Sequence, residues 1–156
     1  MENVFNDLIR QMKTEPEQVS NLMFMAEAAF ERAGYREVAP AGVENILVVR
    51  LDAIGDMILT SGFLRELRAN FPQARITLVC SPLVYPIVEL CPYVNEILTF
   101  DKDSLDRTFP AMFERITDFC RENLWQRKFS FAFSPQWGSD NLPSLLMAWL
   151  SGARER

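Results

Sequence analysis

The 156-residue chain is 49% hydrophobic and 24% charged, carries a net charge of −5 and contains no histidine. Such a balance fits one soluble globular core and excludes a histidine-based triad or a histidine-bearing metal site. The acidic character, with a sequence pI near 4.8, argues against a broad nucleic-acid footprint.

Residues 1–40 read as a separate helical extension. Val4, Leu8 and Met12 keep one face, and Val19, Leu22, Met23, Met25, Ala26 and Phe30 continue it after the break at Thr14-Glu15-Pro16. This methionine-rich stripe is expected to pack against the main domain rather than to hold a cofactor. The opening Met1–Asp7 lacks the basic and apolar regions of a secretory signal, and no apolar run reaches bilayer length, so the expected address is cytoplasmic.

Residues 41–156 alternate apolar strands with helical stretches, the pattern of β-α-β units and a parallel sheet. Strands are expected near 45–51, 75–80, 95–99 and 129–134, and helices near 57–70, 83–90, 107–126 and 142–151. The fold class is therefore α/β, a Rossmann-like parallel sheet flanked by helices. Pro72 closes the first helix, and Pro82, Pro86 and Pro92 keep the second short. Ser151-Gly152 stops the last helix, and the chain ends at Arg156 where a further strand is expected, so it reads as cut short. Cys80, Cys91 and Cys120 lie in apolar contexts without a Cys-x-x-Cys pair and read as reduced thiols.

The most informative stretch is the strand-to-helix junction Arg50-Leu51-Asp52-Ala53-Ile54-Gly55-Asp56, because open α/β sheets bind ligands beyond the carboxyl ends of their strands. Asp56 has two readings, a helix N-cap and a general base facing a substrate hydroxyl. Asp52 shares that ambiguity, as a strand-end residue turned to solvent or a ligand contact. Gly55 reads as a turn residue that permits a positive φ or close ligand approach. The junction lacks G-x-G-x-x-G and G-x-x-x-x-G-K-[ST], so no dinucleotide or P-loop nucleotide is indicated. Helix-start amides with Thr60 and Ser61 could still hold an anion.

Three further segments carry alternatives. Asp101-Lys102-Asp103 invites a divalent metal but reads more simply as a polar loop. Ser134-Pro135-Gln136-Trp137-Gly138-Ser139-Asp140 follows the last strand, on the same sheet edge as Asp56. There Gln136 and Trp137 suit a polyhydroxylated ligand, although a helix-capping loop explains most of the pattern. The cluster from Arg121 to Lys128, with Arg127 beside Trp125, reads as a helix end complementing its dipole, or as a contact for an anionic membrane-surface substrate.

Taken together, I-L-V-V-R-L-D-A-I-G-D-M-I-L-T-S, L-R-E-L-R-A-N-F-P-Q-A-R-I-T-L-V, C-P-Y-V-N-E-I-L-T-F-D, F-S-P-Q-W-G-S-D and L-L-M-A-W-L-S-G-A-R resemble the N-terminal half of glycosyltransferase family 9, the lipopolysaccharide heptosyltransferases. The resemblance covers about 110 residues. It implies half of a GT-B fold, in which this domain takes the acceptor sugar and a C-terminal domain, absent from this sequence, holds the nucleotide sugar. By position, Asp56 corresponds to the family's proposed catalytic base, and the resemblance suggests no obligatory metal; Asp52, Gly55, Thr60, Gln136 and Trp137 are the expected acceptor contacts, and no cofactor is expected. The implied reaction is inverting heptose transfer from ADP-heptose to a lipopolysaccharide inner-core sugar, at the inner face of the cytoplasmic membrane. The chain alone is expected to be inactive. The competing readings are a non-catalytic α/β binding or interaction module and a flavodoxin-like receiver or nucleotide-binding domain.

Overall fold

The computed structural model describes residues 10, 42, 44–106, 108–136 and 141–156. The proposed extension over residues 1–40 lies almost wholly outside that set. Four strands form one parallel sheet: β1 (Asn45–Arg50), β2 (Arg75–Cys80), β3 (Glu96–Thr99) and β4 (Phe131–Phe133). Between them run α1 (Ile54–Asn70), the short α2 (Tyr85–Val88), α3 (Phe109–Asn123) with a 3-10 turn at Trp125–Arg127, and finally α4 (Leu142–Leu150). All four expected strands and all four helices are present, within a few residues of their expected limits.

β1 is buried on both faces, which is why it reads as an unbroken apolar run. Its side chains alternate between two cores. Leu47, Val49 and Leu51 pack with Phe113, Ile116 and Cys120 of α3 and with Leu146, Met147 and Leu150 of α4. Ile46 and Val48 pack on the opposite face with Met57, Leu64 and Leu67 of α1 and with Val84 and Val88 around α2. β4 obeys the same period of two: Ala132 joins the first core, while Phe131 meets Phe71, just after α1, and Phe133 meets Phe63 of α1, at ring distances of 6.0 and 5.6 Å.

The strand order is β3-β2-β1-β4. The chain thus builds outward from β1 to β3, then returns to place β4 on the other side of β1. β1 leads into α1 on one face and β4 leads into α4 on the other, so the connections diverge between these two neighbouring strands. That divergence opens a crevice at their carboxyl ends, the usual ligand position in open α/β sheets. Where a further strand was expected, Glu155 makes a single parallel bridge to Phe131 along the outer edge of β4. Gly152, at φ 75°, supplies the left-handed residue that ends α4.

The opposite edge of the sheet is fastened by arginines. Arg68, in the last turn of α1, donates to the carbonyls of Ala74 (2.7 Å) and Tyr93 (3.2 Å) and to Asn95 Oδ1 (2.6 Å), which also receives the Ile76 amide. Arg127 donates to Glu96, and Arg75 reaches the same carboxylate at 3.3 Å. Burial raises the Glu96 carboxyl, but the hydrogen bonds and charges of Arg127 and Arg75 outweigh it and hold the group below its ordinary value. The pair therefore stabilises the fold above about pH 4.5, the ordinary carboxylate value, and that contribution is lost as the pH falls through the lowered folded-state value. Melting temperatures of wild type and Glu96→Gln should differ most near neutrality and converge in acid.

Trp125 is buried, and its indole N–H donates to the Leu150 carbonyl at 2.8 Å. Arg121 lies 5.9 Å from the centre of that ring and pairs with Asp118 at 2.9 Å. The basic cluster around Trp125 is thus built into the α3–α4 packing, closer to the helix-end reading than to an exposed anion site. All three cysteines are free. Burial pushes the Cys80 thiol up to about 11 and raises Cys120 further, whereas Cys91 is half-buried. A disulfide-exchange reagent at pH 8 should titrate one thiol in the native chain and all three after denaturation. Among the described residues, no helix is long and apolar enough to cross a membrane.

Candidate functional site

At the carboxyl end of β1, Arg50 continues the side-chain alternation of Ile46 and Val48 and so lies under the start of α1. Its side chain is only 3% exposed, a position where a cation persists only if paired. Its Nη2 lies 3.4 Å from Asp52 Oδ2 and 3.3 Å from Asp56 Oδ1, and its Nη1 donates to the Pro135 carbonyl. Two carboxylates therefore converge on one guanidinium. The loop leaving β4 is fastened to the end of β1 by the same group.

The two carboxylates differ in what remains available. Asp52 is 13% exposed, with Oδ1 accepting from Gln136 Nε2 and lying 3.6 Å from Lys102 Nζ, while Oδ2 faces Arg50. It is not turned to solvent. Asp56 is 48% exposed and touches Arg50 through one oxygen only. Of the pair, Asp56 is the one open to solvent.

Two local expectations need correction. Asp56 is not the N-cap: α1 begins at Ile54, Ala53 holds the cap position without a side-chain cap bond, and Asp56 lies in the first turn. There its charge still complements the helix dipole. Gly55 is not a positive-φ turn residue but part of that first turn, and a Cβ built on it would meet nothing within 4 Å. The space beside it is open to a ligand.

Thr60 is buried, and its hydroxyl donates to the Asp56 carbonyl at 2.8 Å, so that proton is committed within α1. Gln136 is brought to Asp52 across 84 positions of sequence. Trp137 lies outside the described residues. In the Asp101–Asp103 loop, Asp101 Oδ1 accepts the Asp103 amide at 3.1 Å, an Asx turn that explains the acidic spacing, and Lys102 is the member that reaches the site. An apolar groove of about 420 Å3, lined by Ile54, Met57 and Ile58 of α1 and by Ile87 and Leu90, opens beside the turn carrying Asp56.

Sequence reasoning passed over Arg50 and Lys102. For Arg50 a signal existed, since a lone cation ending an apolar strand two residues before an aspartate implies a buried pair. For Lys102 there was none, because β3 is separated from β1 by β2.

Sheet, divergent connections and crevice together define a four-strand α/β domain that resembles part of a GT-B fold. The comparisons narrow the class to a distant similarity with glycosyltransferase family 9, over part of those proteins. A putative glycosyltransferase of Haemophilus influenzae (strain ATCC 51907 / DSM 11121 / KW20 / Rd) is 25% identical over 114 residues, 73% of this chain and 30% of that protein. The chain thus spans about a third of the length of the curated relative it matches. The crystal structure of the glycosyl transferase family 9 from Veillonella parvula DSM 2008 superposes with a TM-score of 0.55 at 22% identity, covering 75% of this chain and 32% of that one. That of E. coli ADP-heptose lps heptosyltransferase II gives 0.50 at 20% identity, covering 70% and 28%. At these identities the two structures speak for the fold alone. No protein-family model matches the sequence.

Proposed function

We propose that these residues form the acceptor side of an inverting glycosyl-transfer centre, with Asp56 as the general base. The observation that carries this reading is the asymmetry of the two carboxylates on Arg50: Asp52 is enclosed, and Asp56 is held by one oxygen with its side chain half exposed. The acceptor hydroxyl attacks the anomeric carbon of the donor sugar from the face opposite its diphosphate. The new C–O bond forms as the bond to the diphosphate breaks, and Asp56 takes the hydroxyl proton. With no histidine in the chain, a carboxylate is the natural proton acceptor near neutral pH.

The name of one similar protein, ADP-heptose lps heptosyltransferase II, supports a nucleotide-activated heptose as donor and a lipopolysaccharide sugar as acceptor; an inner-core acceptor met at the membrane surface is part of this proposal. Gly55 gives the acceptor close approach, and Gln136 and Trp137 belong to the same proposed face, whereas Thr60, buried with its hydroxyl committed to the Asp56 carbonyl, supports the turn that carries Asp56 and does not touch the acceptor. Among the described residues, the cations at this edge, Arg50 and Lys102, both face the chain's own carboxylates. A leaving diphosphate must therefore be met by groups elsewhere, and these 156 residues alone should transfer no sugar at a useful rate.

Calorimetry tests the reading. The chain should bind an inner-core oligosaccharide and not an ADP-sugar. Gly55→Ala should keep the fold and stabilise it by about 0.4–1 kcal/mol, because the added methyl meets open space in a helix and restricts the unfolded chain. The same variant should weaken oligosaccharide binding. Binding of neither ligand by a folded chain would favour the non-catalytic interaction module.

A further inference from the structure

Arg50 is a buried cation that the proposed chemistry leaves unexplained. It is 3% exposed, and three separate pieces of chain converge on it: the loop after β4 through the Pro135 carbonyl, the end of β1 through Asp52, and the first turn of α1 through Asp56. Asp52 is itself locked by Gln136 and Lys102. The guanidinium therefore has little freedom to follow Asp56, and Asp56 must conform to it.

An exposed aspartate in a first helical turn would otherwise exchange among staggered rotamers. A base that samples several orientations is aligned with a bound hydroxyl only part of the time, and small misplacements are costly to rate. We propose that Arg50 is the positioning residue of the site: anchored by Pro135 and Asp52, it pins one oxygen of Asp56 and leaves the other directed to the acceptor. Asp52, Lys102 and Gln136 act on Asp56 only through Arg50. The inference rests on Asp56 being the reacting carboxylate, but its test does not use the sugar.

The test is the set of side-chain three-bond couplings of Asp56 in the isotopically labelled 156-residue chain. Wild type should show one χ1 rotamer. Arg50→Lys keeps a charge but cannot bridge three partners, and should give couplings averaged over rotamers with the amide spectrum otherwise preserved. Asp52→Asn, which loosens one anchor of Arg50 but leaves the Arg50–Asp56 contact and the Pro135 anchor in place, should average the couplings less than Arg50→Lys does. Wild-type couplings in a folded Arg50→Lys chain would overturn the proposal.

Should Arg50→Lys fail to fold, Asp56→Asn reports from the other side, because Asp56 is half exposed and its loss spares the core. The Arg50 guanidinium resonances should then shift and exchange faster with water, and resonances unchanged from wild type would overturn the proposal. If the couplings behave as expected and oligosaccharide binding is absent, the functional reading fails while the clamp on Asp56 stands. The converse result removes Arg50 from the mechanism and keeps the acceptor face.

Discussion

Asp56→Asn is expected to lower sugar transfer by about a hundred- to ten-thousand-fold in a catalytically complete polypeptide carrying these residues, the range typical for losing a general base. Amide in place of carboxylate preserves shape and removes the proton acceptor. Because Asp56 is half exposed and is not the N-cap of α1, its replacement should barely change folding stability. Single-turnover transfer rates alongside melting temperatures separate the two effects. A variant that folds normally and transfers at the wild-type rate would remove Asp56 from the chemistry.

Arg50→Met should have the largest effect on stability, about 3 kcal/mol, at the low end of the cost of removing one partner from a buried ion pair. The cation is 3% exposed, and its loss leaves Asp52 almost enclosed with a diminished set of partners. Lys102 and Gln136 still face that carboxylate, and Asp56 can turn to water, which keeps the cost from the upper end. Urea unfolding measures it. Arg50→Met combined with Asp52→Asn should recover part of the loss, since the second change removes the stranded charge.

The sheet was legible because β1 and β2 are short apolar runs covered on both faces and bounded by turn residues, and because the alternation in β4 comes from backbone geometry. The pairing of the β4 exit with the β1 exit was legible too, since parallel strands place their carboxyl ends on one edge. The start of α1 was misread for a local reason. Glycine before aspartate looks like a turn followed by a cap, yet glycine is tolerated in a first helical turn and aspartate is favourable there as well as at the cap. The helix begins at Ile54, and that shift of less than one turn changes Asp56 from a capping group into a half-exposed first-turn residue paired with Arg50.

The Arg50 hub was harder to see because its partners are separated by up to 85 residues, and only tertiary folding brings the Pro135 carbonyl and Asp56 to one side chain. Lys102 illustrates the same limit. Its acidic neighbours drew attention to the loop, whereas the geometry singles out the lysine between them.

The most direct measurement of the central claim is chemical-shift mapping of the labelled chain with an inner-core oligosaccharide and, separately, with an ADP-sugar. The acceptor is predicted to move Gly55, Asp56 and Gln136 while the ADP-sugar moves none of them. Shifts at those residues from the ADP-sugar, with none from the oligosaccharide, would contradict the assignment of this sheet edge to the acceptor.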